Sequence, residues 1–139
     1  SLRQNMPLEF THKVKTQSGY MTVANAELTA LDVVAEPKKV GGLSRAAELL
    51  VELCEQTIWD ESKLHLLSYF SIATIQRLGF ILDMIEEHKQ ADSLYILMKQ
   101  TGKAVRKVAL KQTAPVVDGM PMDGRWKVIE NYKIEIDEI

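Results

Sequence analysis

Apolar residues alternate near the start of the chain, switch to helical spacing near residue 26, and return to alternation near the end. Phe10, His12 and Val14 alternate with Thr11 and Lys13. That period of two predicts strands over residues 8–14 and 20–24, with the turn at Gln17-Ser18-Gly19. Asn25 is placed to cap a helix over residues 26–35, and Glu27 would meet the positive end of its dipole. Pro37 disfavours helix at Glu36 and sets the stop. Gly41-Gly42 makes the connection, and Ser44 is the expected cap of a second helix. There Ala46, Leu49, Leu50 and Leu53 fall on one face. Asp60 starts a third helix holding Leu64, Leu67 and Phe70. A fourth is expected over residues 72–87, with Ile75, Leu78, Leu82 and Ile85 as a narrow apolar seam widened by Ile72 and Ile81. Glu86-Glu87-His88-Lys89 reads as its solvated end. A fifth helix covers residues 92–100 and stops at Gly102.

From Lys103 the character changes. Val105, Val108 and Leu110 suggest a short strand among basic residues. Residues 114–124 hold two prolines and two Asp-Gly pairs, the composition of a loop with tight turns. Trp126, Val128, Tyr132, Ile134 and Ile136 then occupy even positions, with Lys127, Asn131, Lys133, Glu135 and Asp137 at odd ones. This predicts a strand or strand pair with one buried face, broken by a bulge or turn near Asn131. Strands, then about five helices, then strands argue for an α+β fold, its terminal strands forming a small sheet packed against the helix bundle. The whole chain, 1–139, is expected to be one domain.

Size and composition agree with that reading. A chain of 139 residues can bury a core of its own. With 46% apolar and 26% charged residues it lies near the globular average, which excludes extensive disorder. The net charge of −2 names no partner, so only a local cluster could argue for nucleic acid. Cys54 is the sole cysteine and lies in an apolar run, which predicts a buried thiol and a reducing, cytoplasmic setting. No stretch approaches the roughly 20 apolar residues of a membrane span, and the first residues do not form a signal peptide. Without an initiator methionine, Ser1-Leu2 reads as a cloning remnant joined to a segment of a longer protein.

Candidate chemistry is sparse. His12, His65 and His88 have no partner at ligand spacing, so no metal site is expected. Asp60 and Glu61 are adjacent and do not share a helix face. There is no Gly-x-Ser-x-Gly, and no signature links Cys54 to a histidine. Gly41-Gly42 lacks the spacing of a phosphate loop or a dinucleotide fingerprint, so no cofactor is expected. One electrostatic feature remains. Lys99, Lys103, Arg106, Lys107 and Lys111 fall within thirteen residues that contain no acid. Arg125 and Lys127 join them if the two late strands pair. The cluster reads either as a solvated face or as a strip that contacts phosphates without reading bases. Within Gln76-Arg77-Leu78-Gly79-Phe80, a mid-helix glycine costs about 1 kcal/mol relative to alanine, which suggests close packing by another backbone. Arg77, about 100° from the seam, is expected to be structural, pairing with an acid or capping a helix end. Trp126 is expected in the core.

Several pieces together resemble a known family. Thr22-Val23-Ala24 leads into Ala26-Glu27-Leu28-Thr29-Ala30-Leu31-Asp32-Val33-Val34. Pro37, Gly41-Gly42-Leu43 and Ala46-Ala47-Glu48-Leu49-Leu50 follow. Then come Gln76-Arg77-Leu78-Gly79-Phe80-Ile81-Leu82 and Arg125-Trp126-Lys127-Val128-Ile129 with Asn131. In this order, over roughly residues 20–131, they are similar to the C-terminal domain of AbiEi-type antitoxins. These belong to bacterial type IV toxin–antitoxin and abortive-infection systems. The resemblance implies a winged-helix DNA-binding domain N-terminal to this one and repression of the protein's own operon through operator DNA. It also implies antagonism of a nucleotidyltransferase-like toxin without a stable complex. The basic surface would assist DNA binding, and no catalytic residue is implied. This chain carries no winged-helix pattern of its own, so that domain is expected outside it. The residues leave two alternatives open: an enzyme or small-ligand domain acting on nucleotides or RNA, and a pure oligomerisation or scaffold module. A convergent cluster of acid, histidine or nucleophile would mark the enzyme, and the sequence shows none.

Overall fold

The computed structural model describes residues 11–16 and 19–136, with side chains from Asn25 onward. Strand β1 (Thr11–Thr16) pairs antiparallel with β2 (Gly19–Ala24), Thr11 opposite Ala24 and Thr16 opposite Gly19. Expected strand positions 8–10 and turn residues Gln17 and Ser18 lie outside the described residues. Helix α1 (Ala26–Ala35) starts at Asn25 as predicted, but through its backbone. The Asn25 carbonyl accepts from the Thr29 amide at 3.0 Å and the Thr29 hydroxyl at 3.1 Å, with no side-chain cap bond. Glu27 does more than face the dipole. It is buried, accepts from the Ile58 amide at 2.8 Å and lies 3.8 Å from Lys63 Nζ, so it ties the loop after the second helix to the start of the first.

Pro37 opens a 3-10 turn (Pro37–Val40) rather than a bare break. Gly41 and Gly42 come next with φ of 104° and 110°, a conformation that favours glycine. Gly42, not Ser44, is the N-cap of α2 (Leu43–Leu53). Its carbonyl already accepts from the Ala46 amide, which puts Ser44 inside the first turn, where its hydroxyl accepts from the Glu135 amide at 3.0 Å. Asp60 does cap the turn it precedes. Its carboxylate accepts from the Ser62 hydroxyl and amide, which holds it below the usual carboxylate range. The expected third helix is only a 3-10 turn (Glu61–Lys63) and the single-turn α3 (Leu64–Leu67), with Phe70 buried beyond it.

Helix α4 (Ile72–Met84) is capped by Ser71, whose hydroxyl accepts from the Thr74 amide at 3.2 Å. It ends earlier than the periodicity suggests. Glu86 adopts φ 65°, its amide bonds to Asp83 O and the Glu87 amide to Leu82 O, a Schellman closure without its usual glycine. Helix α5 (His88–Gln100) begins at once. Residues 85–87 are therefore a helix-to-helix turn, and His88 and Lys89 open α5 instead of ending α4; Glu86, His88 and Lys89 are exposed, as expected of a solvated stretch.

Beyond α5, β3 (Val108–Ala109) pairs parallel with β4 (Val128–Ile129), Val108 opposite Val128. The fold is α+β and mostly helical, as predicted. The strands form two separate pairs, β1–β2 and β3–β4, rather than one joined sheet. The late alternation is real: Trp126 and Val128 are buried, and Tyr132, Ile134 and Ile136 pack against the core. It records an extended chain with one face on the helices, of which only two residues join a ladder.

The core centres on α4, which packs on α1, α5 and β4. Every residue from Thr74 to Leu82 is buried. A helix enclosed on all sides has little need of an apolar stripe, which is why its seam looked narrow. Leu28, Leu31, Leu50, Leu66, Leu94 and Trp126 belong to the same buried core.

Candidate nucleic-acid interface

Gln76, Gly79 and Asp83 are spaced by three and four residues, which puts them on one face of α4. That face holds the basic segment. Gln76 Nε2 donates to Arg106 O at 2.7 Å and to Trp126 O at 2.8 Å, linking the approaches to β3 and β4. Its Oε1 is buried with no partner among the described residues, since the two carbonyls dictate the amide's orientation. Arg77 Nε donates to Ala109 O at 2.8 Å. It caps a strand carbonyl rather than a helix end, and no carboxylate pairs with it among the described residues. Desolvation pulls its pKa below the ordinary arginine value.

Gly79 faces a side chain, not a backbone as its position suggested. The Trp126 indole lies flat against it, and a Cβ there would stand 2.2 Å from Cη2 and 2.3 Å from Cζ2. Trp126 Nε1 donates to Asp83 Oδ2 at 2.7 Å, and the Trp126 amide donates to Asp123 Oδ2 at 2.7 Å. The expected break near Asn131 is a side-chain clamp. Asn131 accepts from the Lys111 amide and donates to the carbonyls of Lys111 and Ala114, closing the base of the 114–124 loop.

The seven cations divide on this frame. Lys107 and Lys127, the residues just before the paired Val108 and Val128, lie on neighbouring backbones and are both exposed. The carbonyl of Lys127, whose φ is 55°, accepts from the Val108 amide at 3.0 Å. Arg106 and Lys103 are exposed along the same segment. Among the described residues none of these four is ion-paired. The other three are engaged. Arg125 lies 2.7 Å from Asp92 and 3.8 Å from Asp83, with its guanidinium 4.9 Å over the Tyr95 ring. Lys99 lies 5.2 Å from the same ring, and Lys111 sits 4.3 Å over Tyr132. Gln76, Asp83 and Asn131 escaped the sequence reading as holders of this surface. For Gln76 and Asp83 the available signal was polar side chains at helical spacing inside an otherwise apolar helix.

Among the described residues no group of three or more histidine, cysteine or carboxylate side chains could hold a metal ion. No described helix is long and apolar enough to cross a membrane. Cys54 is buried, and desolvation first, then the Glu87 carboxylate, push its thiol up to about 11 against a lowering hydrogen bond from Thr57. From an ordinary 9.0, its thiolate fraction at neutral pH falls about a hundredfold. Iodoacetamide at pH 8 is therefore expected to label Cys54 quickly in denaturant and barely in the folded protein; equal rates would contradict the burial. Because burial penalises the thiolate, fold stability is expected to fall as pH climbs from about 9 towards about 11.

A family model described as the AbiEi antitoxin C-terminal domain matches residues 1–84. Neither a curated protein nor a solved structure matches the chain. The matched residues include all of α4, with Gln76, Arg77, Gly79 and Asp83. They stop before the basic segment, so the similarity noted at Arg125–Asn131 lies outside them.

Proposed function

This chain belongs to the family of the AbiEi antitoxin C-terminal domain, whose model covers more than half of it, and on that premise we propose how it works. It serves a bacterial type IV antitoxin that represses its own operon and opposes a nucleotidyltransferase-like toxin in the cytoplasm. It does so without a stable complex with that toxin and without catalysis. A winged-helix domain in the full-length protein reads the operator. The ridge of Lys103, Arg106, Lys107 and Lys127 adds phosphate contacts beside it.

The observation that supports this reading is the pairing of Val108 with Val128, which brings exposed Lys107 and Lys127 onto neighbouring backbones pinned to buried Gln76. Cations on a rigid support lose less entropy on binding than cations on a free loop. Phosphate contacts orient a protein on DNA and carry no sequence information, which suits a domain that assists a separate reader. The chain's overall charge of −2 offers no long-range attraction, so the contribution is local and sensitive to salt.

Low-salt gel shifts with the full-length protein test the DNA part. Arg106→Ala with Lys107→Ala is expected to weaken operator binding roughly tenfold. Unchanged affinity would overturn it. Co-expression of this domain with the neighbouring toxin tests antitoxicity. Restored growth is expected, and continued arrest with soluble domain present would remove that activity from it.

A further inference from the structure

A cleft of about 470 Å³ opens between the end of α1, the 3-10 turn after it and the segment following β3. Arg77 lines it from α4. The Arg77 side chain is only 7% exposed, and its Nε is used on Ala109. Its two Nη groups have no partner among the described residues. A guanidinium keeps its charge even when buried. Desolvating most of that side chain without a counter-charge is costly, so the arrangement favours an anion in the cleft.

A second, independent feature points the same way. Gly42 and Leu43, at the start of α2, also line the cleft. That helix has no side-chain cap and no acid in its first turn, so its leading amides and positive dipole end are available. Lys38 and Lys111 stand at the rim. The one lining carboxylate, Glu36, lies 2.5 Å from Lys39. Val34, Pro37, Leu43 and Leu110 add apolar lining.

We propose that this cleft binds a phosphorylated small molecule of mononucleotide size. Its phosphate is taken by the Arg77 fork and the first amides of α2, and its apolar or planar body lies on Val34, Pro37, Leu43 and Leu110. Planar bidentate contact is what arginine offers a phosphate and lysine does not. The volume falls in the range of small-molecule sites. Arg77 also holds Ala109, two residues from Lys107, so one side chain serves both the cleft and the basic ridge.

The test is an NMR titration of the chain with inorganic phosphate, AMP and adenosine. It follows the amides of Gly42, Ser44 and Arg45 and the Nε of Arg77. Phosphate and AMP are expected to move these signals, AMP at lower concentration, and adenosine to leave them in place. Arg77→Lys is expected to weaken AMP binding about tenfold, the loss of one charge-assisted hydrogen bond. Should that variant not fold, Lys38→Ala with Lys111→Ala, both on the rim, is expected to weaken binding severalfold. No shift with AMP, equal shifts with adenosine, or undiminished binding in the rim variant would overturn the proposal. Tighter binding of a 5′-phosphorylated dinucleotide than of AMP would overturn the small-molecule source.

Discussion

Gly79→Ala is expected to destabilise the domain by about 3 kcal/mol and lower its melting temperature by roughly 10 °C. The sign makes this informative. In an unencumbered helix the same change is stabilising by about 1 kcal/mol, because alanine loses less backbone entropy. Here the new methyl would fall 2.2 Å from the Trp126 ring, closer than any real contact. Helix α4 cannot retreat, since it is enclosed from Thr74 to Leu82. The indole has to leave, and with it go the bond to Asp83 and the approach of Gln76 to the Trp126 carbonyl. A scanning calorimetry trace with a raised melting temperature would show that the indole does not rest on Gly79.

Trp126→Ala is expected to cost about 3–5 kcal/mol. The side chain is wholly buried, stacks edge-on to Tyr95 with ring centroids 5.4 Å apart, and lies 5.3 Å from the Arg125 guanidinium. Its removal leaves a cavity over Gly79 and takes from Asp83 one of the groups it serves. The two variants are coupled. With the indole gone, the three atoms nearest a methyl at residue 79 are gone too, so Gly79→Ala in the Trp126→Ala background is expected to be neutral or stabilising. That reversal in a double-mutant cycle, measured by urea unfolding, would assign the cost of the first change to one contact. Additive losses would assign it elsewhere.

How far these features were legible depends on where their causes lie. The starts of α1 and α2 come from local chemistry, Asn25, Pro37 and the glycine pair, although the atoms that do the capping differ. The end of α4 was hidden because Glu86 takes a left-handed conformation that glycine or asparagine would have advertised. The late strand was overestimated because one-sided burial of Trp126, Val128 and Tyr132 has the same period as a sheet. Gly79 announced a close approach, yet nothing near it in sequence says that a residue 47 positions later makes it.

The basic residues were legible as a set, and their division was not. Asp92 and Tyr95 on α5, and Tyr132 after β4, decide which cations are engaged. Those are tertiary neighbours with no fixed spacing. Gln76 illustrates the same limit. Its two bonds reach residues 30 and 50 positions away, and only its polarity inside an apolar helix hinted at them.

The central claim is that α4 holds the C-terminal segment as a ridge of phosphate-contacting cations. It is tested most directly by the salt dependence of operator binding in the full-length protein, wild type against Arg106→Ala, Lys107→Ala and Lys127→Ala combined. Each phosphate contact contributes about 0.9 to the slope of log affinity against log salt. The account predicts a slope shallower by about 2–3 for the triple variant, at an unchanged melting temperature. A slope equal to that of the wild type would contradict it.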